Sequence, residues 1–152
     1  MDLRAMLKAL KFGTLVPPQL KDNGAFAGNT YFDTLGLSGL LVLLITGTID
    51  AAIGSTSSSS APKLEECDTT DGSYTAITDA ALAAAIANTE DDKIHGIFVD
   101  LTKTHKRYIE INAPTAADGT TGCNFSAIAI GFPSDQMPAS ASAMGLTELI
   151  EA

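Results

Sequence analysis

"GLLVLLITGTID", Gly39 to Asp50, is the most apolar stretch of this chain, and its reading decides the fold. Its unbroken apolar core runs from Leu40 to Ile45. A membrane-spanning helix needs roughly 20 apolar residues. An export signal sits at the extreme N-terminus, behind a basic start and ahead of a small-residue cleavage site. The run is too short for the first and too far along the chain for the second. A brief apolar run bounded by Gly39 and Gly47 fits a strand covered on both faces. Leu41, Val42, Leu43, Leu44 and Ile45 are therefore expected in the core of a sheet, buried on both sides.

Strands are expected downstream as well. In "KIHGIFVDLTK", Ile97, Val99 and Leu101 alternate with Phe98, Asp100 and Thr102. In "KRYIEINA", Ile109 and Ile111 alternate with Tyr108, Glu110 and Asn112. In "CNFSAIAIGF", Cys123, Phe125, Ala127 and Ala129 share one face, and Ser126, Ile128 and Ile130 the other. Alternation with period two is the strand signature. "KLEECD" reads as a further strand, followed by an Asp-Gly turn in "TTDGSY". "NGAFAGNTYFDT" suits short strands with tight turns, and "THK" and "PTAADGTTG" read as turn-like links. "GSTSSSSAP", Gly54 to Pro62, reads as a flexible exposed loop. One helix is expected inside the domain, over "TDAALAAAIA", Thr78 to Ala87, where Thr78 or Asp79 caps a run of the strongest helix former.

Both ends read as arms. Leu3, Met6, Leu7 and Leu10 fall on one helical face, with Arg4, Lys8 and Lys11 off that stripe. These seven residues are the candidate partner-binding arm: a short helix docked on its own domain, or a grip on a neighbouring subunit. Pro17-Pro18 ends any helix there. The expected layout is an N-terminal arm over 1–16, a β-domain over 17–133 and a C-terminal tail over 134–152. The expected fold is mainly β: a single β-sandwich of jelly-roll type, or a β-barrel, with one short helix and extended arms.

The chemistry expected of this chain is sparse. The 18 acidic residues outnumber the nine basic ones, giving −9, which favours solubility and disfavours nucleic acid. Cys67 and Cys123 lack CxxC spacing, and with no export signal the expectation is free thiols in a reducing cytosol. His95 and His105 lack metal-ligand spacing, and His105 reads as part of a solvated basic turn. "DTTDG" departs from a calcium loop, and no nucleophile elbow or phosphate loop is present. The expectation is no catalytic residue, no metal, no cofactor, no nucleic-acid partner and no membrane partner.

One set of segments resembles a known family. "LEECDTTDGSYTAITDAAL" (Leu64 to Leu82), "KRYIEI" (Lys106 to Ile111) and "AIAIGFP" (Ala127 to Pro133), with the opening "LRAMLKALK", are similar to small head-associated proteins of tailed bacteriophages. The match covers about half the chain, and the Ser-rich stretch and C-terminal tail depart from it. The resemblance implies an auxiliary capsid protein of the decoration or cement type, on the outside of a virion assembled in the host cytoplasm. Its partners would be the major capsid protein and copies of itself, as trimers or dimers. It carries no catalytic residues to transfer. A virion adhesion module binding host carbohydrate, or a tail or connector component, is the competing expectation.

Overall fold

The apolar stretch that dominates the sequence is the centre of the largest sheet. The computed structural model describes residues 3–134 and 145–147. A short helix, α1 (Leu3–Ala9), leads into eleven strands: β1 (Lys11–Lys21), β2 (Gly24–Ala25), β3 (Phe32–Asp33), β4 (Leu37–Ile49), β5 (Ile53–Ser55), β6 (Lys63–Cys67), β7 (Thr75–Ala81), β8 (Ile94–Asp100), β9 (Tyr108–Ile111), β10 (Pro114–Ala116) and β11 (Cys123–Pro133). They form three antiparallel sheets. The first has the order β1–β11–β4–β8, the second β3–β9–β6–β7, and the third, small one β2–β10–β5. The mainly-β expectation holds.

One hydrophobic core draws on all three sheets. Leu15 and Val16 enter it from β1, Leu40, Val42 and Leu44 from β4, Leu64 from β6, Ile109 and Ile111 from β9, and Ala127 and Ala129 from β11. The alternation read in β8, β9 and β11 is the observed one, with Ile97, Val99, Ile109, Ile111, Cys123 and Phe125 facing inward. Both cysteines are free and buried.

Four expectations are corrected. First, β4 is not covered on both faces: Leu40, Val42 and Leu44 are fully buried, while Leu41, Leu43 and Ile45 are only half-buried. Second, the helix expected over Thr78–Ala87 does not form. Its first residues belong to β7, which pairs with β6 and carries Ile77 and Ala80 into the core. Leu82 N–H then donates to the Pro62 carbonyl, and Ile86 forms a two-way bridge with Ile53. A helix of two to three turns is marginal by itself, and these pairings with buried side chains outweigh the alanine propensity. The one described helix lies at the N-terminus instead.

Third, the Ser-rich stretch is not a loose loop. Gly54 and Ser55 belong to β5, Ser55 is fully buried, and its hydroxyl accepts the Lys63 N–H at 3.1 Å. Ser60 N–H donates to the Ser57 carbonyl at 3.1 Å and Ser55 N–H to the Ser60 carbonyl at 3.2 Å. A Cβ on Gly54 would collide with the carbonyl oxygens of Ser57 and Ser60, so glycine is what lets this turn fold back on its own strand. Fourth, His105 is no solvated tip. It is 16% exposed and its Nδ1 lies 2.9 Å from Oε2 of Glu66, which also accepts the Lys106 N–H.

The link before β11 is held by Asp50. Its Oδ2 accepts N–H groups from Thr120 (2.6 Å) and Thr121, and its Oδ1 accepts that of Gly122 at 3.1 Å. These donors, Thr121 first, hold the carboxyl below its ordinary range. A depressed carboxyl contributes stability above its unfolded pKa and loses it as pH falls through its folded one. Asp50→Ala is expected to lower the melting temperature at pH 7, and the two proteins should converge in strong acid. Thermal melts across that range are the check.

Candidate docking surface

Cross-strand partners share a face of a sheet, so the register of the first sheet shows what each side carries. Leu41 lies between Ile130 of β11 and Phe98 of β8, and Ile130 pairs in turn with Phe12 of β1. Leu43 lies between Ile128 and Gly96, and Ile45 between Ser126 and Ile94. At one end Phe132 sits opposite Gly39, and its ring lies 6.4 Å from that of Phe98. The outer face is thus almost wholly aliphatic and aromatic. Among the described residues its one ionisable side chain is Asp100, at a corner opposite Gly39.

This face is open. Ile94 is 66% exposed and Phe98 62%, and Phe12, Leu41, Leu43, Ile45, Ile128 and Ile130 are half-buried. Scattered exposed apolar residues need no explanation, but a contiguous apolar patch on a folded domain marks an interaction site. β4 is apolar at consecutive positions because both of its faces need apolar surroundings, and the described residues supply them on one. The signal was present in the sequence: "LLVLLI" and "AIAI" are apolar in both phases of the alternation.

The candidate arm divides. Arg4, Leu7 and Lys8 lie on α1, with Leu7 45% exposed and Arg4 exposed. Leu10 is half-buried, and its N–H donates to the Leu7 carbonyl at 3.3 Å. Lys11 is not in an arm: it opens β1, its Nζ donates to the Asp33 carbonyl at 2.7 Å, and it stands 5.1 Å above the Phe32 ring. Residues 11–16, assigned to the arm from sequence, therefore belong to the first sheet. The side chains of Leu3 and Met6 lie outside the described residues, as do positions 135–144 and 148–152 of the tail.

A second cluster was missed by sequence reading. β6 and β9 place Glu65 directly opposite Glu110. Burial, then a hydrogen bond donated to Glu65 and the charge of that residue, push the Glu110 carboxyl up to about 7. Tyr74, whose buried hydroxyl has no hydrogen-bond partner among the described residues, lies in the field of the same two carboxyls and of Tyr31; burial is the main reason its pKa is raised to about 12. Tyr31 meets Tyr108 edge-on at 5.1 Å. The three tyrosines of the chain thus gather beside the second sheet, Tyr108 in β9, Tyr31 just before β3 and Tyr74 just before β7. Nothing local in the sequence announces this, because Glu65 and Glu110 meet only through strand register.

A cleft of about 580 Å³ opens between the edges of β7 and β8, lined by Ile77, Asp79, Phe98, Asp100, Lys103 and His105 among others. Among the described residues no group of three or more His, Cys, Asp or Glu side chains is arranged to hold a metal ion, and no helix is long and apolar enough to cross a membrane. Comparison of the chain with family models, with curated proteins and with solved structures gives no match in any of the three.

Proposed function

We propose that the chain is a structural virion protein that binds the outside of a bacteriophage capsid and stabilises it as a decoration or cement protein. The observation that carries this reading is the apolar outer face of the first sheet, a broad and nearly uncharged surface on a chain of net charge −9. A protein whose work is attachment needs such a surface and needs no converging acid, base and nucleophile. The resemblance of Leu64–Leu82, Lys106–Ile111 and Ala127–Pro133 to phage head-associated proteins supplies the setting. Its partners in this reading are the major capsid protein and further copies of itself.

The strand order supports the finer fold reading, a jelly-roll sandwich. Count only the eight strands of the two larger sheets, in chain order. The first, eighth, third and sixth make one sheet and the second, seventh, fourth and fifth the other. Successive strands therefore cross between sheets at every step but one, as in the jelly rolls of viral capsid domains.

The test uses purified heads lacking this protein. Leu43→Asp and Ile128→Asp place charges on the half-buried outer face, where the isolated fold tolerates them. Each is expected to weaken head binding by about tenfold or more, since central apolar anchors dominate interfaces. Heads decorated with the parent protein should withstand heat better than bare heads. Undiminished binding by both variants would overturn the proposal.

A second reading has one observation behind it. The Tyr31–Tyr74–Tyr108 cluster beside Glu65 and Glu110 has the chemistry of a saccharide site, aromatic faces with carboxyl acceptors. In that reading the chain is an adhesion module for host carbohydrate. Glycan-array binding lost in Tyr31→Ala would favour it.

A further inference from the structure

We propose that two copies of this chain pair through β8, antiparallel about a two-fold axis at Ile97, so that their first sheets join into one continuous sheet. This deepens the self-association part of the function proposed above and rests on it there.

A strand edge left open is a template for another chain, and folded proteins blunt such edges with short strands, bulges, proline or lysine. Three of the four edges of the larger sheets are blunted. β1 carries Pro17 and Pro18 and two breaks in register. β3 is two residues long. β7 has a register break, and Asp79 within it takes a left-handed conformation at φ 62. β8 has none of these. It runs from Ile94 to Asp100 in unbroken register with β4, holds no proline or lysine, and its free edge borders the cleft shared with β7.

The sequence of β8 is compatible with itself in this arrangement. Pairing about Ile97 sets each Phe98 opposite the partner copy's Gly96, so the widest side chain meets the position that has none. Ile97 meets Ile97 on the inner side. Each end of the strand also finds opposite charge. The turn before β8 carries exposed Asp91 and Asp92, followed by exposed Lys93, and the turn after it carries Lys103, 75% exposed and 4.0 Å from Asp100 of its own chain, a surface pair that an intermolecular one would replace. The antiparallel axis brings the first turn of one copy to the second turn of the other, at both ends of the contact. Two chains of net charge −9 thereby meet through an almost uncharged strand bracketed by ion pairs. The outcome is an apolar outer face twice as broad, with Ile94 and Phe98 at its middle instead of its rim.

The experiment is sedimentation equilibrium of the full chain, free of capsids, over a wide concentration range at low and high salt. The parent is expected to be a dimer. Phe98→Lys alters an exposed ring, leaves the fold intact by circular dichroism, and should raise the dissociation constant by about tenfold or more. Lys103→Glu should weaken the dimer at low salt and less at high salt. Adding Asp92→Lys to Lys103→Glu should restore it. A monomeric or trimeric parent, or a dimer indifferent to Phe98→Lys and to the charge exchange, would overturn the pairing. Attachment to heads is read by a separate assay, so failure here does not decide the capsid reading.

Discussion

Leu44→Asp is expected to abolish soluble folding, whereas Leu43→Asp, one residue away, is expected to leave a cooperative fold. Leu44 is fully buried between Ala127 and His95 in the first sheet, and it belongs to the single core. The basic group beside a carboxylate there is the His95 imidazole, which already lies 3.4 Å from Oε2 of Glu90, and burying the new carboxylate costs several kcal/mol even after its pKa shifts. That is a large part of the 5–15 kcal/mol that typically separates folded from unfolded domains. Leu44→Ala should cost about 3 kcal/mol, from lost transfer energy and the cavity left behind. Leu43 points to the other face, half-buried between Ile128 and Gly96, and a charge there keeps access to water. Its expected loss is about 1–2 kcal/mol, mostly from side-chain contact. Urea unfolding of both variants is the measurement. An insoluble Leu43→Asp would mean that the outer face is covered within one copy, and the docking surface would go with it.

That contrast also marks how far the sequence could be read. Strand positions followed from alternation, and the inward sets Ile97/Val99, Ile109/Ile111 and Cys123/Phe125/Ala127/Ala129 are the observed ones. Alternation is a local property, set by where successive side chains point, so it survives without knowledge of partners. The six-residue run Leu40–Ile45 was legible as a strand but not as one whose second face lies open, because apolar character states a need for cover and not what meets it. The segment Thr78–Ala87 misled because alanine propensity acts over a few residues, while the pairing of Leu82 with Pro62 and of Ile86 with Ile53 spans 20 to 33 positions. His105 with Glu66, Arg107 with Asp33 and Glu65 with Glu110 are likewise products of register. In Arg107 and Asp33 that register makes a two-pronged pair at 2.9 and 2.8 Å, whose guanidinium holds the Asp33 carboxyl at about 2. The arm was legible as a helix but not in extent, since Lys11 looks like one more basic arm residue until Phe32 and Asp33 are brought beside it.

Glu110→Gln is expected to stabilise the protein in mild alkali and to have little effect near pH 5. Glu110 and Glu65 are half-buried and directly opposite across β6 and β9, the geometry in which two carboxylates repel most strongly. The fold relieves this by keeping a proton on the pair: burial, then the hydrogen bond and charge of Glu65, raise the Glu110 carboxyl from 4.5 to about 7. A raised carboxyl pKa means that the folded state binds the proton more tightly than the unfolded state. Its contribution is complete below about 4.5 and is lost as pH rises through about 7. At pH 8.5 the Glu110 carboxyl of the parent protein has lost its proton, and strand β9 is pushed from β6. Glutamine is neutral at every pH and donates an amide N–H to Glu65 in place of the carboxyl proton. After allowance for solvent screening of a half-buried pair, the gain at pH 8.5 should be about 1–2 kcal/mol. Groups elsewhere titrate alike in both proteins, so the difference between parent and variant isolates this pair. Denaturant melts of the two at pH 5, 7 and 8.5 give that difference directly. It should grow across the series with the variant always the more stable at the alkaline end. A difference that stays flat with pH would place both carboxyls in ordinary solvent and remove the proton from the pair; one that shrinks as pH rises would reverse the sign of the coupling between these two strands.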